Sequence, residues 1–319
     1  MSGSYYALNA KYNALLSKVA AGAGGGGLTA VLTANDDAGG LDITNLNNIN
    51  LTTINSAAYP PAPTGYSFVE RLKYDTAGSF TFTKATYPYL RAIKVIAVGG
   101  GGGGGQTETV YNVGDSAAAT GGGGGTYAER FITDIVGLAS SVPIVVGVKG
   151  EGGVGGATIS YPFFRYGTNA TNGGNSEFGT AANAYYVKGG GGYAGGRGDA
   201  SQGFYGASGV GAIDGAGDFY ISGYKSENSF SSGDALPSLF YIASASNGGD
   251  SVLGTGGSTS GGMVRLSSSG SITDTNNGGS GVGFGGGGAG GCGSTRLGNA
   301  FGASGGDGSA GVVFLELYA

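Results

Sequence analysis

The side chains that could do chemistry in this sequence are mainly tyrosines and carboxylates. The 319-residue chain has 20 Tyr and 14 Phe but no His, so it lacks the commonest general base and metal ligand. Its single cysteine, Cys292, stands among glycines and has no partner for a disulfide or a thiolate metal site within the chain. We therefore predict no catalytic residue, no metal site and no cofactor, and a small buried role for Cys292.

One loose group of three acidic residues is a candidate for glycoside hydrolysis. A glycosidase needs two carboxyl groups facing one cleft, and Asp214, Asp218 and Glu227 are near one another in the sequence. Nothing in their spacing fixes such a geometry. The protein is accordingly predicted not to be an enzyme.

Many of the aromatic residues lie in three long segments that are poor in glycine runs and rich in Ser and Asn. Tyrosine combined with Ser, Gly and Asn is typical of adaptable recognition loops. The same aromatic rings would also serve to cover the glycine runs, and the sequence leaves both roles open. The candidate receptor-binding residues are Tyr161, Phe163, Phe164, Tyr166, Phe204, Tyr205, Phe219, Tyr220, Tyr224, Phe240 and Tyr241.

Glycine runs must position these segments. The chain has 74 glycines, with pure runs at 99–105, 121–125, 189–192 and 285–288 and mixed runs at 152–156 and 302–311. Backbones without side chains approach closely, and in a polyproline-II-like helix of three residues per turn their polar groups point toward neighbouring runs. This favours a mainly β protein with polyglycine-II-like runs in a bundle. A flexible glycine-rich tail is the alternative.

Apolar strands flank the runs and would anchor them. Alternating residues predict strands at 79–83 and 93–98, and apolar stretches predict further strands at 144–148 and 312–318. Shorter apolar flanks stand at 126–132 and 185–187. A proline-rich connector at 58–63 marks the boundary of a glycine-rich C-terminal domain, residues 58–319, that carries the aromatic loops.

The first 27 residues predict a short helix that oligomerises or docks. The residues that carry a coiled-coil-like spacing, and that we assign to oligomerisation, are Tyr5, Leu8, Tyr12, Leu15 and Val19. Packing of this helix onto its own chain is the alternative. Residues 28–57 have aliphatic positions separated by Asn and Thr, too few for a monomeric core. They predict a short shaft-like β segment that finds its core by winding with other copies.

Two stretches resemble viral fibre proteins. The text VLTANDDAGGLDITNLNNINLTTIN at 31–55 resembles short-repeat segments of phage and large-virus tail fibres. The succession FTFT (80–83), IKVIAVGGGGGGG (93–105), PIVVGVKGEGG (143–153), GVGFGGGGAGG (281–291) and GASGGDGSAGVVFLELY (302–318) resembles the glycine-rich domain at the ends of such fibres. It is also similar to T-even-type distal adhesins, whose polyglycine bundle displays receptor-binding loops.

The resemblance implies a tail-fibre or surface-fibre protein of a virion, extracellular after release, and a receptor-binding adhesin for a host-surface glycan or protein. Its partners would be further copies, as a homotrimer or larger fibre, and other virion fibre proteins. A structural subunit that recognises only itself is the alternative. The net charge of −5 without a basic cluster argues against nucleic acid, and no apolar stretch approaches the ~20 residues needed for membrane insertion.

Overall fold

The computed structural model describes residues 65–108, 116–156, 167–198, 210–231, 240–259, 263–265, 274–294 and 302–319. These residues all belong to one compact unit, Pro61–Ala319. The predicted N-terminal helix and the shaft segment lie outside the described residues. The described part is mainly β, as predicted, with one turn of 3-10 helix at Lys84–Thr86.

Seventeen strands are present among the described residues. They are β1 (Phe68–Tyr74), β2 (Gly78–Thr83), β3 (Ala92–Val98), β4 (Ser116–Ala118), β5 (Tyr127–Ile132), β6 (Ser141–Val146), β7 (Ser176–Phe178), β8 (Val187–Gly189), β9 (Phe219–Ile221), β10 (Phe230–Ser231), β11 (Phe240–Ser244), β12 (Leu253–Thr255), β13 (Met263–Arg265), β14 (Asp274–Asn276), β15 (Val282–Phe284), β16 (Cys292–Ser294) and β17 (Val312–Tyr318).

Two antiparallel sheets form a sandwich. One has the order β1-β17-β3-β5-β9 and the other the order β2-β6-β7-β8. Alternate residues of β3 and β17 face inward, because successive side chains of a strand point to opposite faces. The inner residues of both sheets form one buried cluster, which includes Phe82, Ile93, Val95, Ile144, Phe178, Leu315 and Leu317. This cluster is the side-chain core of the domain.

The predicted strands are confirmed with small changes of boundary. The strand predicted at 312–318 is observed as predicted, and the strand predicted at 144–148 begins at Ser141 and ends at Val146. It ends early because the N–H of Gly147 donates to Ser176 Oγ at 3.0 Å and its carbonyl accepts from Gly311 at 3.0 Å. From Gly147 onward the chain is therefore part of the glycine bundle.

The run 99–105 is the axis of that bundle, and each of its N–H groups donates at 2.8–3.1 Å. The N–H groups of the run bond to three neighbouring segments. Gly99, Gly102 and Gly105 donate to Thr126, Gly123 and Thr120, respectively, and Gly100 and Gly103 donate to Gly174 and Thr171. Gly101 and Gly104 donate to Ser309 and Gly306. Groups three residues apart point the same way, as a helix of three residues per turn requires. Because the acceptor number falls as the donor number rises, these three neighbours run antiparallel.

The carbonyl groups of the same run accept from three further segments. Gly100 and Gly103 accept from Gly192 and Gly195, Gly101 and Gly104 from Gly150 and Gly153, and Gly102 and Gly105 from Gly288 and Gly291, at 2.8–3.0 Å. Here both numbers rise together, so these neighbours are parallel. The axis therefore has six hydrogen-bonded neighbours, and the prediction that the glycine runs bond to one another is confirmed.

Buried hydroxyl groups stand in for main-chain groups within the bundle. Ser246 Oγ accepts from Gly121 N and Ser309 Oγ from Gly286 N, both at 2.7 Å. Thr120 Oγ1 accepts from Gly196 N at 2.6 Å, and Thr126 Oγ1 donates to Ala212 O at 2.7 Å. These side chains are fully or almost fully buried. Such bonds satisfy main-chain groups that would be expensive to bury unpaired.

The bundle has two distinct ends. At one end, six of the seven segments that make up the axis and its neighbours continue directly into sandwich strands. The seventh segment is preceded by Phe284, whose ring contacts that of Phe314 in β17 with centroids 6.2 Å apart. At the opposite end lies the small sheet β14-β16-β4. Cys292 is buried there with Ala118, Ala243 and Ala245, and burial raises the pKa of its thiol. The predicted packing role of Cys292 is thus confirmed.

The outer face of the five-stranded sheet carries charges among aromatic rings. Glu316 is 4% exposed and accepts from Arg71 Nε at 3.1 Å and from the Tyr318 hydroxyl at 3.0 Å. The Arg71 guanidinium lies 5.4 Å from the centroid of the Phe314 ring. Burial and the neighbouring Glu316 carboxylate raise the pKa of Tyr318 to about 12. Buried charge in this sheet is therefore paired.

Candidate functional site

A shallow cleft of about 370 Å³ lies on the side of the bundle. One wall is the segment from Tyr224 to Glu227, and the other is formed by Asn247, Asp250 and Ser258. The floor is glycine backbone at 248, 249, 256 and 257. Glycine forms this floor because the bundle admits no side chain there. A Cβ atom on Gly248 or Gly249 would overlap the carbonyl of Gly287 or Tyr224.

Main-chain bonds to the bundle fix the walls. The Tyr224 N–H donates to Asp250 O at 2.9 Å, and its carbonyl accepts from Gly124 N at 2.9 Å. Gly249 N donates to Gly122 O at 2.8 Å, and Gly248 N to Gly257 O at 2.9 Å. Both walls are thus tied to the central runs and to each other. The main-chain framework of the cleft is therefore set by hydrogen bonds to the bundle.

The polar side chains of the cleft are oriented by bonds of their own. Asp250 Oδ1 accepts from Gly256 N at 2.7 Å. Asn247 Oδ1 accepts from Thr259 N at 2.9 Å, which turns the amide so that Asn247 Nδ2 faces Glu227 Oε2 at 3.4 Å. Tyr224 is 60% exposed, so its ring is accessible from solvent. The cleft combines an aromatic ring with planar hydrogen-bonding groups, an arrangement suited to binding a small polar ligand.

Those predicted receptor-binding residues that the structure describes lie apart from one another instead of together. Phe219 and Tyr220 lie in β9, the edge strand beside β5, and are 51% and 52% exposed. Phe219 pairs with Glu129 and Tyr220 with the buried Ala128, so their side chains occupy opposite faces of the sheet. Phe240 and Tyr241 belong to β11, near the opposite end of the bundle. Only Tyr224 of these residues lines the cleft.

The remaining predicted residues lie outside the described part of the chain. They are Tyr161, Phe163, Phe164, Tyr166, Phe204 and Tyr205, together with the oligomerisation residues Tyr5, Leu8, Tyr12, Leu15 and Val19.

The three carboxylates considered for hydrolysis do not face one cleft. Asp214 pairs with Lys188, and Asp218 Oδ1 accepts from Arg130 Nε at 2.9 Å. Glu227 lines the cleft near Asn247, away from both. Each carboxylate thus has a different neighbourhood and a local partner. This arrangement does not supply the facing pair that glycoside hydrolysis uses.

A larger cavity of about 910 Å³ lies at the end of the sandwich farthest from the bundle. Tyr66, Tyr87, Arg91 and Asp134 are among the residues that line it. The Lys84 ammonium group in its lining donates to the carbonyl groups of Ile135 and Leu138 at 3.0 and 2.7 Å, and these bonds hold the loop that contains both residues. Gly65, where the described residues begin, also lines the cavity.

Sequence reasoning missed most of the cleft. Asn247, Asp250 and Ser258 lie in a separate part of the sequence from Tyr224, and no motif joins them. The only local signal was Tyr224 beside Lys225 and near Glu227, and composition alone cannot distinguish this segment from the other Tyr-containing loops. Their meeting depends on which glycine segments are neighbours in the bundle.

Two searches within the described ranges gave negative results. No group of three or more His, Cys, Asp or Glu residues is placed to hold a metal ion. No helix there has the length and apolar character needed to cross a membrane.

Comparison with known proteins agrees with the architecture. A glycine-rich domain family matches residues 75–318, which include the bundle and every strand of the sandwich except β1. A search of curated proteins gave no match to the sequence. Because the match extends over most of the chain, the protein belongs to this glycine-rich domain family.

Proposed function

We propose that the chain is a virion fibre protein that binds a receptor on the host surface through its glycine-rich domain. The observation that supports this proposal is the polarity of the domain. Ser67 and Ala319 exchange hydrogen bonds at 2.9 and 3.0 Å, and the chain enters the sandwich beside them at Gly65. The first described residues thus lie at the end of the domain farthest from the bundle, which in this proposal is its attachment end.

At the opposite end of the bundle, which we call the loop end, lie residues 108, 116, 156, 167, 294 and 302. Gly198 forms a bridge with Thr107 there. Binding sites are commonly formed by loops that a rigid scaffold positions. An attachment end opposite a loop end is the arrangement expected of a fibre tip.

In this proposal the first 57 residues assemble the fibre. The helix of residues 1–27 and the shaft segment 28–57 join three copies, with the face formed by Tyr5, Leu8, Tyr12, Leu15 and Val19 at the threefold contact. The assembled fibre would be held in the virion by other fibre or tail proteins. The glycine-rich domain would bind a surface glycan or protein without catalysing a reaction.

The assembly part of the proposal has a direct test. Light scattering should give a trimer for the full chain and a monomer for a chain that begins at Ala58. A shortened chain that remains trimeric would place the contacts in the glycine-rich domain and contradict the assignment to residues 1–57.

The competing proposal is a structural fibre subunit that recognises only itself. Both proposals expect antibodies against the chain to label fibres on purified virions by electron microscopy. Only the adhesin proposal expects the purified chain to bind host cells and slow virus adsorption in competition. Labelled fibres without competition would favour the structural subunit, and unlabelled virions would reject both.

A further inference from the structure

We infer that the cleft beside Tyr224 binds a neutral saccharide, with one sugar ring stacked on the Tyr224 ring and its hydroxyl groups bonded to Asp250, Asn247 and Glu227. The inference deepens the proposed receptor-binding function and rests on it, because it assigns a ligand class to one surface of the domain. The cleft is made entirely of described residues.

Tyr224 supplies the stacking surface. Its main chain is bonded on both sides, to Asp250 O and from Gly124 N, each at 2.9 Å. The position of its Cα atom is therefore fixed, while the side chain is 60% exposed. Tyrosine presents a rigid apolar face together with a polar hydroxyl. The C–H face of a sugar ring is a partner of matching shape and polarity.

The floor gives a ring room to approach. Gly248, Gly249, Gly256 and Gly257 leave no side chain between the two walls. Packing within the bundle already explains why these residues are glycine, since a Cβ atom on Gly256 or Gly257 would overlap the carbonyl of Gly248 or Gly279. The consequence for binding is a flat floor of peptide groups beside an aromatic ring.

The wall groups match the hydrogen-bonding pattern of a diol. A carboxylate has about four acceptor sites, and the Gly256 N–H contacts Asp250 at one oxygen, Oδ1. Asn247 is held through its oxygen by Thr259, which fixes the direction of its Nδ2 donor. Planar carboxylate and amide groups at fixed positions can each bond one hydroxyl of a vicinal pair. Ser258 adds a hydroxyl group at the rim.

The charge of the cleft selects against acidic sugars. Asp250 and Glu227 contribute two negative charges, and Lys225 contributes one positive charge. The whole chain has a formal charge of −5. An anionic sugar would meet net repulsion both in the cleft and on approach. A neutral hexose or N-acetylhexosamine unit avoids this repulsion and still uses every polar group named above.

The test uses the full chain on an array of immobilised neutral oligosaccharides of hexose and N-acetylhexosamine units, with sialylated and sulfated oligosaccharides beside them. We expect binding to at least one neutral class. Tyr224→Ala should weaken that binding about tenfold or more, which corresponds to about 1.4 kcal/mol. The matched control is Tyr193→Ala, which removes a tyrosine of comparable exposure, 47%, outside the cleft. It should leave affinity unchanged.

Asp250→Asn sharpens the test because it keeps an oxygen for the Gly256 N–H and removes the negative charge. It should weaken neutral binding and reduce discrimination against sialylated oligosaccharides. Melting curves of each variant should match that of the parent, since all three side chains are exposed. Absence of neutral binding, equal loss in Tyr193→Ala, or preference for acidic sugars would each overturn the inference.

Virus adsorption separates this inference from the proposed function. If the parent and Tyr224→Ala chains compete equally with adsorption, the cleft is not the receptor site although the protein is an adhesin. If Tyr224-dependent saccharide binding occurs without competition, the cleft assignment stands and the adhesin function fails.

Discussion

The sandwich and the glycine bundle belong to one domain but are held together by opposite parts of the chain. In the sandwich, side chains such as Ile93, Val95 and Leu317 are fully buried between two sheets. In the bundle, residues 99–105 are equally buried but contribute only backbone, with each N–H group bonded to a neighbouring segment. The sandwich is stabilised by removing apolar side-chain area from water, and the bundle is stabilised by hydrogen bonds between its main-chain groups.

This difference shows how a glycine-rich chain can hold a fixed structure. Each glycine loses more backbone freedom on folding than any other residue. Here six of the seven central segments continue into sandwich strands, which place neighbouring runs side by side at one end. The two regions should therefore respond differently to a change of side-chain volume and to a change of pH.

The largest expected effect is the loss of a side chain from the sandwich core. Phe82 is 1% exposed, and its ring centroid lies 5.4 Å from that of Tyr87 and 6.2 Å from that of Phe178. Phe82→Ala should lower the free energy of unfolding by about 3–5 kcal/mol, as measured by denaturant titration. Phe68→Ala removes a ring that is 58% exposed and should lower it far less. Similar losses for the two variants would contradict a side-chain core.

A side chain added inside the bundle should lower the free energy of unfolding. A Cβ atom on Gly102 would overlap the carbonyl of Tyr193, well inside the 3.0 Å below which such contacts essentially never occur. Gly102→Ala should therefore lower the free energy of unfolding by about 1–3 kcal/mol. At the exposed Gly137 a Cβ atom would meet only the flexible carboxylate of Asp134, so Gly137→Ala should be close to neutral.

A flexible run predicts the opposite sign for the same change. Alanine would reduce the freedom of the unfolded chain and leave stability unchanged or slightly raised. An unchanged or higher melting temperature for Gly102→Ala would thus exclude close packing at this run.

Alkaline pH should weaken the sandwich. Burial and then Glu316 raise the pKa of Tyr318 to about 12, above the ordinary value of 10.0. As pH rises above 10, the unfolded chain releases this proton first, so folding stability falls between pH 10 and about 12. Tyr318→Phe should reduce the fall in unfolding free energy between pH 8 and 11, whatever its effect at pH 8. Tyr193→Phe, at an exposed bundle position, should leave the fall unchanged.

The smallest effect is expected at the edge of the bundle. Ion pairing with Lys149 and the N–H of Gly152, which is 2.8 Å from Oδ1, lower the pKa of Asp307. The charged form is thus favoured in the folded chain, and its stabilisation is present above pH 3.8 and is lost as pH falls further. Asp307→Asn should lower the unfolding free energy at pH 7 by at most about 1 kcal/mol, because the pair is partly exposed.

That difference should shrink in acid, where the parent and the variant both carry a neutral side chain at position 307. Lys149→Met removes the ammonium group and retains the bond to Gly152, which separates the two causes. A difference in unfolding free energy between the parent and the Asp307→Asn variant that grows below pH 4 would contradict the direction of the pKa shift.

Much of the strand framework was predictable because its signal is local. The apolar run from Val312 to Leu317, interrupted only by Glu316, predicts β17 directly. β1 was not predicted, since Glu70, Arg71 and Lys73 interrupt any simple apolar pattern. The cleft could be predicted only in part. Tyr224 was among the candidate residues, whereas Asp250 and Asn247 join it through contacts between distant segments.

The sequence by itself determined that glycine runs lie between apolar strands and that no side chain would separate them. A run of seven glycines carries no pattern that names its neighbours, since each residue is locally identical. Tertiary structure alone decided that 120–126 lies antiparallel and 192–198 parallel to the axis. The physical reason is that glycine offers only its backbone for pairing, so partner and register are set by the sandwich strands that continue from these runs.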